Sequence, residues 1–229
     1  MRIYRFIRDG KIEEAAEELV RDGDVLLPPA QPTKIVCVGR NYADHARELG
    51  NEPPPEPILF LKPPSSLLAP NGVIVRPPQS QRVDFEGELA IVVGKPARHV
   101  TAGEWRDYAA GLTCANDVTA RDLQKKDVQF TRGKGFDTFC PLGPCLATAL
   151  DPAALRITTR VNGQTRQNGN TRDMIFSCGE LFEFISGVMT LLPGDVILTG
   201  TPAGVGPLEE GDLVEVEIEG VGTLRNVVA

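Results

Sequence analysis

Apolar and polar residues alternate in short runs along most of this chain, and a period of two predicts strands. Such runs mark strands at Arg2–Ile7, Lys34–Val38, Ile58–Leu61, Val73–Val75, Glu88–Val93, Gly111–Ala115, Leu155–Val161, Val196–Thr199, Leu213–Glu219 and Thr223–Val228. Asn162-Gly163 has the sequence of a tight hairpin turn. Helical spacing is confined to Lys11–Arg21, Asn41–Leu49 and segments around Ala102–Ala110, Thr119–Lys126 and Ser177–Leu192. In the first of these, Glu13, Glu14, Glu17 and Glu18 line one side, and Ala15, Ala16, Leu19 and Val20 the other. Gly50-Asn51-Glu52-Pro53-Pro54-Pro55-Glu56-Pro57 excludes regular structure.

The pattern predicts a β-rich α+β fold, a sandwich or roll with few helices. The 23 glycines and 19 prolines agree with many short strands and turns. Residues 1–32 read as a small N-terminal strand–helix segment leaving through Pro28, Pro29 and Pro32, and residues 33–229 as the body. There are no repeats and no heptads.

With 229 residues, 41% hydrophobic and 24% charged, the chain has ordinary globular values. Its formal net charge of −7 argues against nucleic acid or an anionic membrane as partner. An anionic small substrate stays possible, because a bound cation reverses the field locally. Leu181–Leu192 is the best apolar stretch, but it is too short to span a bilayer and contains Glu183. The first residues have no long apolar core, so no secretory signal is expected. Cys37, Cys114, Cys140, Cys145 and Cys178 are odd in number and form no C-x-x-C, which predicts buried free thiols and a cytoplasmic setting.

Five segments carry candidate chemistry. In Phe85-Glu86-Gly87-Glu88, followed by an unbroken apolar run to Val93, a strand puts both carboxylates on one face. Two such charges at the mouth of a buried strand call for a hard cation such as Mg²⁺, Mn²⁺ or Ca²⁺. The same pattern also fits a solvated strand face. Glu215, Glu217 and Glu219, alternating with Val214, Val216 and Ile218, read that way. Asp117 ends an apolar strand, placed for a third ligand or for a helix cap, with Arg121 and Gln124 three apart on the following helix. Lys134 stands between Gly133 and Gly135, either to meet a substrate carboxylate or in a flexible loop. Thr199-Gly200-Thr201-Pro202 opens a glycine loop whose N–H groups suit an anion or a tight turn. His45 has Glu48 three residues on, and with only two histidines a His-rich zinc site is excluded.

Taken in order, Gly39-Arg40-Asn41-Tyr42 with His45, Glu86-x-Glu88, Asn116-Asp117 with Ala120-Arg121-Asp122 and Gln124, Gly133-Lys134, and Pro193-Gly194-Asp195 leading to Thr199-Gly200-Thr201-Pro202 resemble the fumarylacetoacetate hydrolase superfamily over residues 33–229. Its short members include acylpyruvate hydrolase/oxaloacetate decarboxylase and 2-hydroxyhepta-2,4-diene-1,7-dioate isomerase types. The resemblance implies a mixed β-sandwich roll and a homodimer. It implies Mg²⁺ or Mn²⁺ on Glu86, Glu88 and Asp117, and Arg121, Gln124, Lys134 and Thr201 around a small 2-oxo or diketo acid. His45 and Glu48 then form a catalytic pair on a lid that includes the proline run. The implied reaction is C–C hydrolysis of acylpyruvate type or decarboxylation through a metal-stabilised enolate. The alternatives are isomerase/decarboxylase action on a hydroxyheptadienedioate in aromatic catabolism and a non-catalytic ligand-binding member.

Overall fold

The computed structural model describes all 229 residues. Its main feature is a ten-stranded mixed sheet. The order across it is Lys11–Ala16, Arg2–Arg8, Cys140–Ala147, Ala109–Asn116, Gly87–Val93, Val196–Leu198, Ile35–Gly39 and Ile58–Lys62, with two short strands attached off this path. A five-stranded sheet is built from Gln164–Asn170, Arg156–Val161, Leu213–Ile218, Gly222–Val228 and Val73–Ile74. A third, three-stranded sheet contains Val83–Phe85. The expected β-rich roll with few helices is what forms.

Gly87–Val93 explains its own unbroken apolar run. Leu89, Ile91 and Val93 enter the largest core cluster with Ile157, Val216 and Ile218 of the five-stranded sheet. Ala90 and Val92 point the other way, into a second cluster with Ile35, Cys140 and Leu198. Both faces are covered, so alternation disappears. At Gly87 the two sheets come close: a β-carbon there would lie 2.1 Å from Thr159 Oγ1 and 3.2 Å from Val216 Cγ1. The longest helix, Cys178–Val188, starts at Ser177 in a capping box with Glu180 and packs Leu181, Phe182 and Ile185 on the largest cluster.

The helix expected over Lys11–Arg21 is not there. Lys11–Ala16 is a strand paired residue by residue with Arg2–Arg8, and only Glu17–Leu19 makes a single helical turn. The physical reason is Asp9-Gly10, whose φ angles of 50° and 74° form the positive-φ turn of a two-residue hairpin. Arg5 faces Glu14 across the ladder and Arg8 contacts Glu13, so the glutamates serve cross-strand pairs rather than a helix face. Arg2–Arg8 also pairs with Cys140–Ala147, which joins the N-terminal hairpin to the main sheet.

The remaining helices are shorter than the sequence suggests: Ala43–Glu48, Trp105–Tyr108 and Arg121–Lys126, with an additional turn at Thr131–Lys134. No helix is long and apolar enough to cross a membrane. All five cysteines are free and buried, and burial pushes the Cys140 and Cys178 thiols up to about 12.

Candidate active site

Antiparallel pairing of Gly87–Val93 with Ala109–Asn116 sets Ala115 opposite Glu88 and Asn116 opposite Gly87. Glu86, Glu88 and Asp117 therefore arrive at one end of the sheet. The corner is locked on both sides: the Glu86 N–H donates to Asn116 Oδ1 (2.9 Å), and the Asp117 N–H donates to the Glu86 carbonyl (2.8 Å). One carboxylate oxygen from each of Glu86, Glu88 and Asp117 lies within 4.8 Å of the others, and all three residues are buried.

A chain of alternating charges surrounds them. Arg82 Nε is 2.8 Å from Asp84 Oδ1, and Arg121 Nε is 2.9 Å from Asp84 Oδ2. Arg121 Nη2 reaches Glu86 Oε1 at 2.5 Å. Lys134 Nζ joins Glu86 Oε2 (2.8 Å) to Asp117 Oδ2 (2.6 Å), and Lys62 Nζ takes Asp117 Oδ1 at 2.5 Å. Burial alone would raise Glu86, but Lys134 and Arg121 hold it well below the usual carboxylate range. Burial lowers Lys134 less than Asp117 and Glu86 raise it, so it stays charged.

Glu88 differs from its neighbours. Its one protein donor is the Gly200 N–H, at 2.7 Å. Burial, with Asp117 and Glu86 adding like charge, pushes it well above the usual range. A buried carboxylate with so little compensation fits a cation ligand, and three oxygen donors suit a hard divalent ion. This acidic cluster can hold a metal ion.

Glu88 reaches its donor because of a local backbone device. Gly200 has a φ of 97°, and a β-carbon there would sit 2.7 Å from Asn41 Cβ. Asn41 ties the loops together through Nδ2 to the carbonyls of Thr199 (2.8 Å) and Phe176 (3.0 Å), and through Oδ1 from the Phe176 N–H (2.8 Å). The glycine loop thus spends its N–H groups on protein carboxylates, Gly200 on Glu88 and Gly204 on Glu48.

His45 is buried on the helix Ala43–Glu48, with Nδ1 3.3 Å from Glu48 Oε2. Glu48 also accepts from the Gly204 N–H (3.1 Å), so this helix is docked on the glycine loop. Arg121 Nη1 donates to Gln124 Oε1 (2.7 Å), the one-face relation that their spacing implies. Lys134 is buried rather than in a loose loop, because Gly133 lets its turn press on the preceding helix: a β-carbon there would meet Gln124 N at 2.9 Å. The Thr201 hydroxyl donates to the Gly87 carbonyl (2.8 Å) and accepts from Gln167 Nε2 (2.7 Å).

His45, Glu48, Glu86, Glu88, Asp117, Arg121, Gln124, Lys134 and Thr201 all line one cavity of about 530 Å³. Sequence reasoning missed four groups that hold it in shape: Lys62, Arg82, Asp84 and Gln167. Asp84 was within reach, since it continues the period of two through Glu86 and Glu88. Lys62 gave no such signal, because a lysine closing an apolar strand usually points to water. Asp195, by contrast, lies outside the cavity. It accepts from the N–H groups of Thr33, Lys34 and Leu192 and pairs with the Lys34 ammonium, which makes it a structural anchor.

Residues 34–229 match the family described as fumarylacetoacetate hydrolase, C-terminal. The chain belongs to the fumarylacetoacetate hydrolase family. Members of this superfamily are enzymes: tautomerases, isomerases and hydrolases. The chain is 48% identical to the human mitochondrial oxaloacetate tautomerase over 215 residues, covering 89% of this chain and 68% of that protein. It is similar to the crystal structure of 5-carboxymethyl-2-hydroxymuconate delta-isomerase from Mycobacterium smegmatis, at 44% identity and a TM-score of 0.91 over 100% of this chain and 98% of that one. Fumarylpyruvate hydrolase from Pseudomonas aeruginosa, solved in complex with Mn²⁺ and pyruvate, gives 32% identity and a TM-score of 0.82 over 92% and 94% of the two chains.

Proposed function

We propose that this family member is a divalent-cation-dependent enzyme that makes and discharges the enolate of a small 2-oxo or diketo acid, with proton transfer at the carbon beside the keto group as its reaction. The observation that carries this is a buried histidine, paired with a more exposed glutamate, lining the same cavity as three buried carboxylates. Glu86, Glu88 and Asp117 are assigned to Mg²⁺ or Mn²⁺. When bound, the cation stabilises negative charge on the keto oxygen as a Lewis acid.

The chain's own residues supply the rest. The Nδ1 contact to Glu48 favours the tautomer with its proton on Nδ1, leaving His45 Nε2 free as the base. That nitrogen takes the proton from the carbon and returns it, to oxygen for a tautomerase or to a more distant carbon for an isomerase. Lys134 uses two of its three N–H donors on Glu86 and Asp117, which leaves one for a substrate carboxylate. Gln124 accepts from Arg121 through Oε1 and keeps its amide N–H groups for the same ligand. Thr201 borders the substrate with its hydroxyl already committed to the protein.

Sequence reasoning puts C–C hydrolysis or decarboxylation first. The 48% and 44% identities to a tautomerase and an isomerase support proton transfer instead. Acylpyruvate-type hydrolysis is the second reading, supported by the 32% identity to fumarylpyruvate hydrolase. It uses the same base to activate water.

The test follows enol and keto oxaloacetate, acylpyruvates and unsaturated 2-oxo dicarboxylates by absorbance, with Mg²⁺ or Mn²⁺ and with EDTA. His45→Ala is expected to lower kcat about 10²–10⁴-fold while cation affinity holds. Wild-type rates in His45→Ala, or full activity in EDTA, would sink the proposal. The accompanying expectation of a homodimer is checked by light scattering in solution.

A further inference from the structure

Most cations lining the cavity are spent on protein carboxylates: Arg82 on Asp84, Arg121 on Asp84 and Glu86, and Lys134 on Glu86 and Asp117. Arg40 and Lys125 also line it, and neither side chain has an ion-pair or hydrogen-bond partner in the protein. Lys125 is exposed, whereas Arg40 is partly buried and built into a fixed corner. Its φ of 58° is a left-handed conformation that few non-glycine residues adopt, and strain of this sort collects at ligand sites. The next residue, Asn41, holds that corner through its three hydrogen bonds to Thr199 and Phe176.

The charge inventory shows what the corner serves. The chain as a whole carries −7, so its overall field repels an anion. Lys134 and the carboxylate-bound cation account for the carboxylate and keto end of a 2-oxo acid. An additional unpaired guanidinium is surplus for a substrate whose tail is neutral. We propose that Arg40 binds a second, distal carboxylate, so that this site selects 2-oxo dicarboxylic acids over 2-oxo acids with an uncharged tail. The inference rests on the reading of the cavity as a 2-oxo acid site. The guanidinium fork matches a carboxylate with two parallel hydrogen bonds, which a lysine cannot reproduce.

The test measures binding by calorimetry to the Mn²⁺-loaded protein, using two matched pairs: oxaloacetate with 2-oxobutyrate, and 2-oxoglutarate with 2-oxovalerate. Variants are Arg40→Asn, which keeps a residue tolerant of positive φ, and Arg40→Lys, with melting temperatures confirming the fold. The wild type is expected to prefer the dicarboxylate of at least one pair by about ten- to a hundredfold, the range for a charged hydrogen-bonded contact. Arg40→Asn is expected to abolish that preference while changing the neutral-tailed partner by less than about twofold, and Arg40→Lys to restore it in part. Equal weakening of both members, an intact preference in Arg40→Asn, or no preference in the wild type would each overturn the assignment. An Arg40-dependent preference without turnover of any 2-oxo acid would sink the reaction proposed above and leave Arg40's role standing.

Discussion

Two stretches of this chain have the same Glu-x-Glu pattern on strands, and they meet opposite fates. Glu86 and Glu88 flank Gly87; Glu215 and Glu217 flank Val216. The two intervening residues approach each other across the sheet interface, where a β-carbon on Gly87 would lie 3.2 Å from Val216 Cγ1. Each pair of glutamates therefore points away from the other sheet. Behind Leu213–Ile218 that direction is the protein surface, where Glu215 pairs with Arg225 and Glu217 with Arg160, both at 2.6 Å. Behind Gly87–Val93 it is a cavity closed by the helix Ala43–Glu48, the glycine loop and the turn bearing Lys134. Identical local patterns are thus separated by what the fold lays over them, and of the four glutamates only Glu88, in the covered pair, has no cationic partner.

Substitutions that exploit this difference span a wide range. Glu88→Gln removes the least compensated carboxylate. It should weaken Mn²⁺ binding more than about a hundredfold, beyond the effect of losing an outer-shell partner, and abolish turnover. Retained Mn²⁺ affinity by titration would show that the cluster is not the metal site. Lys62→Met takes away one of the two ammonium groups on buried Asp117. A loss near 3 kcal/mol in urea unfolding is expected, the lower part of the range for breaking a buried pair. A loss under about 1 kcal/mol would mean that Lys134 alone suffices.

Asp195→Asn tests a buried carboxylate that serves structure only, at about 2 kcal/mol. Burial would raise Asp195, but Lys34, the Leu192 N–H and Thr33 hold it below the usual range. Its contribution should therefore be full at pH 7, begin to fade below about pH 4, and vanish as pH falls through the depressed native value. A difference between wild type and variant that is flat across this window would refute the assignment. The smallest effect belongs to Glu217→Gln, within about 0.5 kcal/mol in stability and with unchanged activity. A large loss of turnover there would show that the two patterns had been assigned the wrong way round.

The strand plan was largely legible because most strands are covered on one face or both, and coverage writes itself into the apolar period. It failed where pairing rather than burial decides. Lys11–Ala16 has a helix-like arrangement of Glu and Ala, yet the Asp9-Gly10 turn and the partner strand Arg2–Arg8 override it. Cys140–Ala147 was hidden by Pro141, Gly143 and Pro144, and Gln164–Asn170 by its polarity, although the Asn162-Gly163 turn calls for a second arm. In the site, the groups that face the cavity were readable as motifs. Their supports were not. Lys62 and Gln167 come from distant strands, and only the assembled sheets bring Lys62 to Asp117 and Gln167 to Thr201.

The alternating chain from Arg82 through Asp84, Arg121, Glu86, Lys134 and Asp117 to Lys62 limits how this family member can diverge. Every interior member touches two opposite charges, so a neutral replacement at any interior position strips one counter-charge from each of two neighbours in a dry environment. Change is tolerable in coupled steps, two adjacent positions at a time, or from the Arg82 end, which is half exposed to water, but not from Lys62, which is fully buried. Descendants with new substrates should therefore vary at the rim, around Arg40 and Lys125, while the interior is inherited as a block.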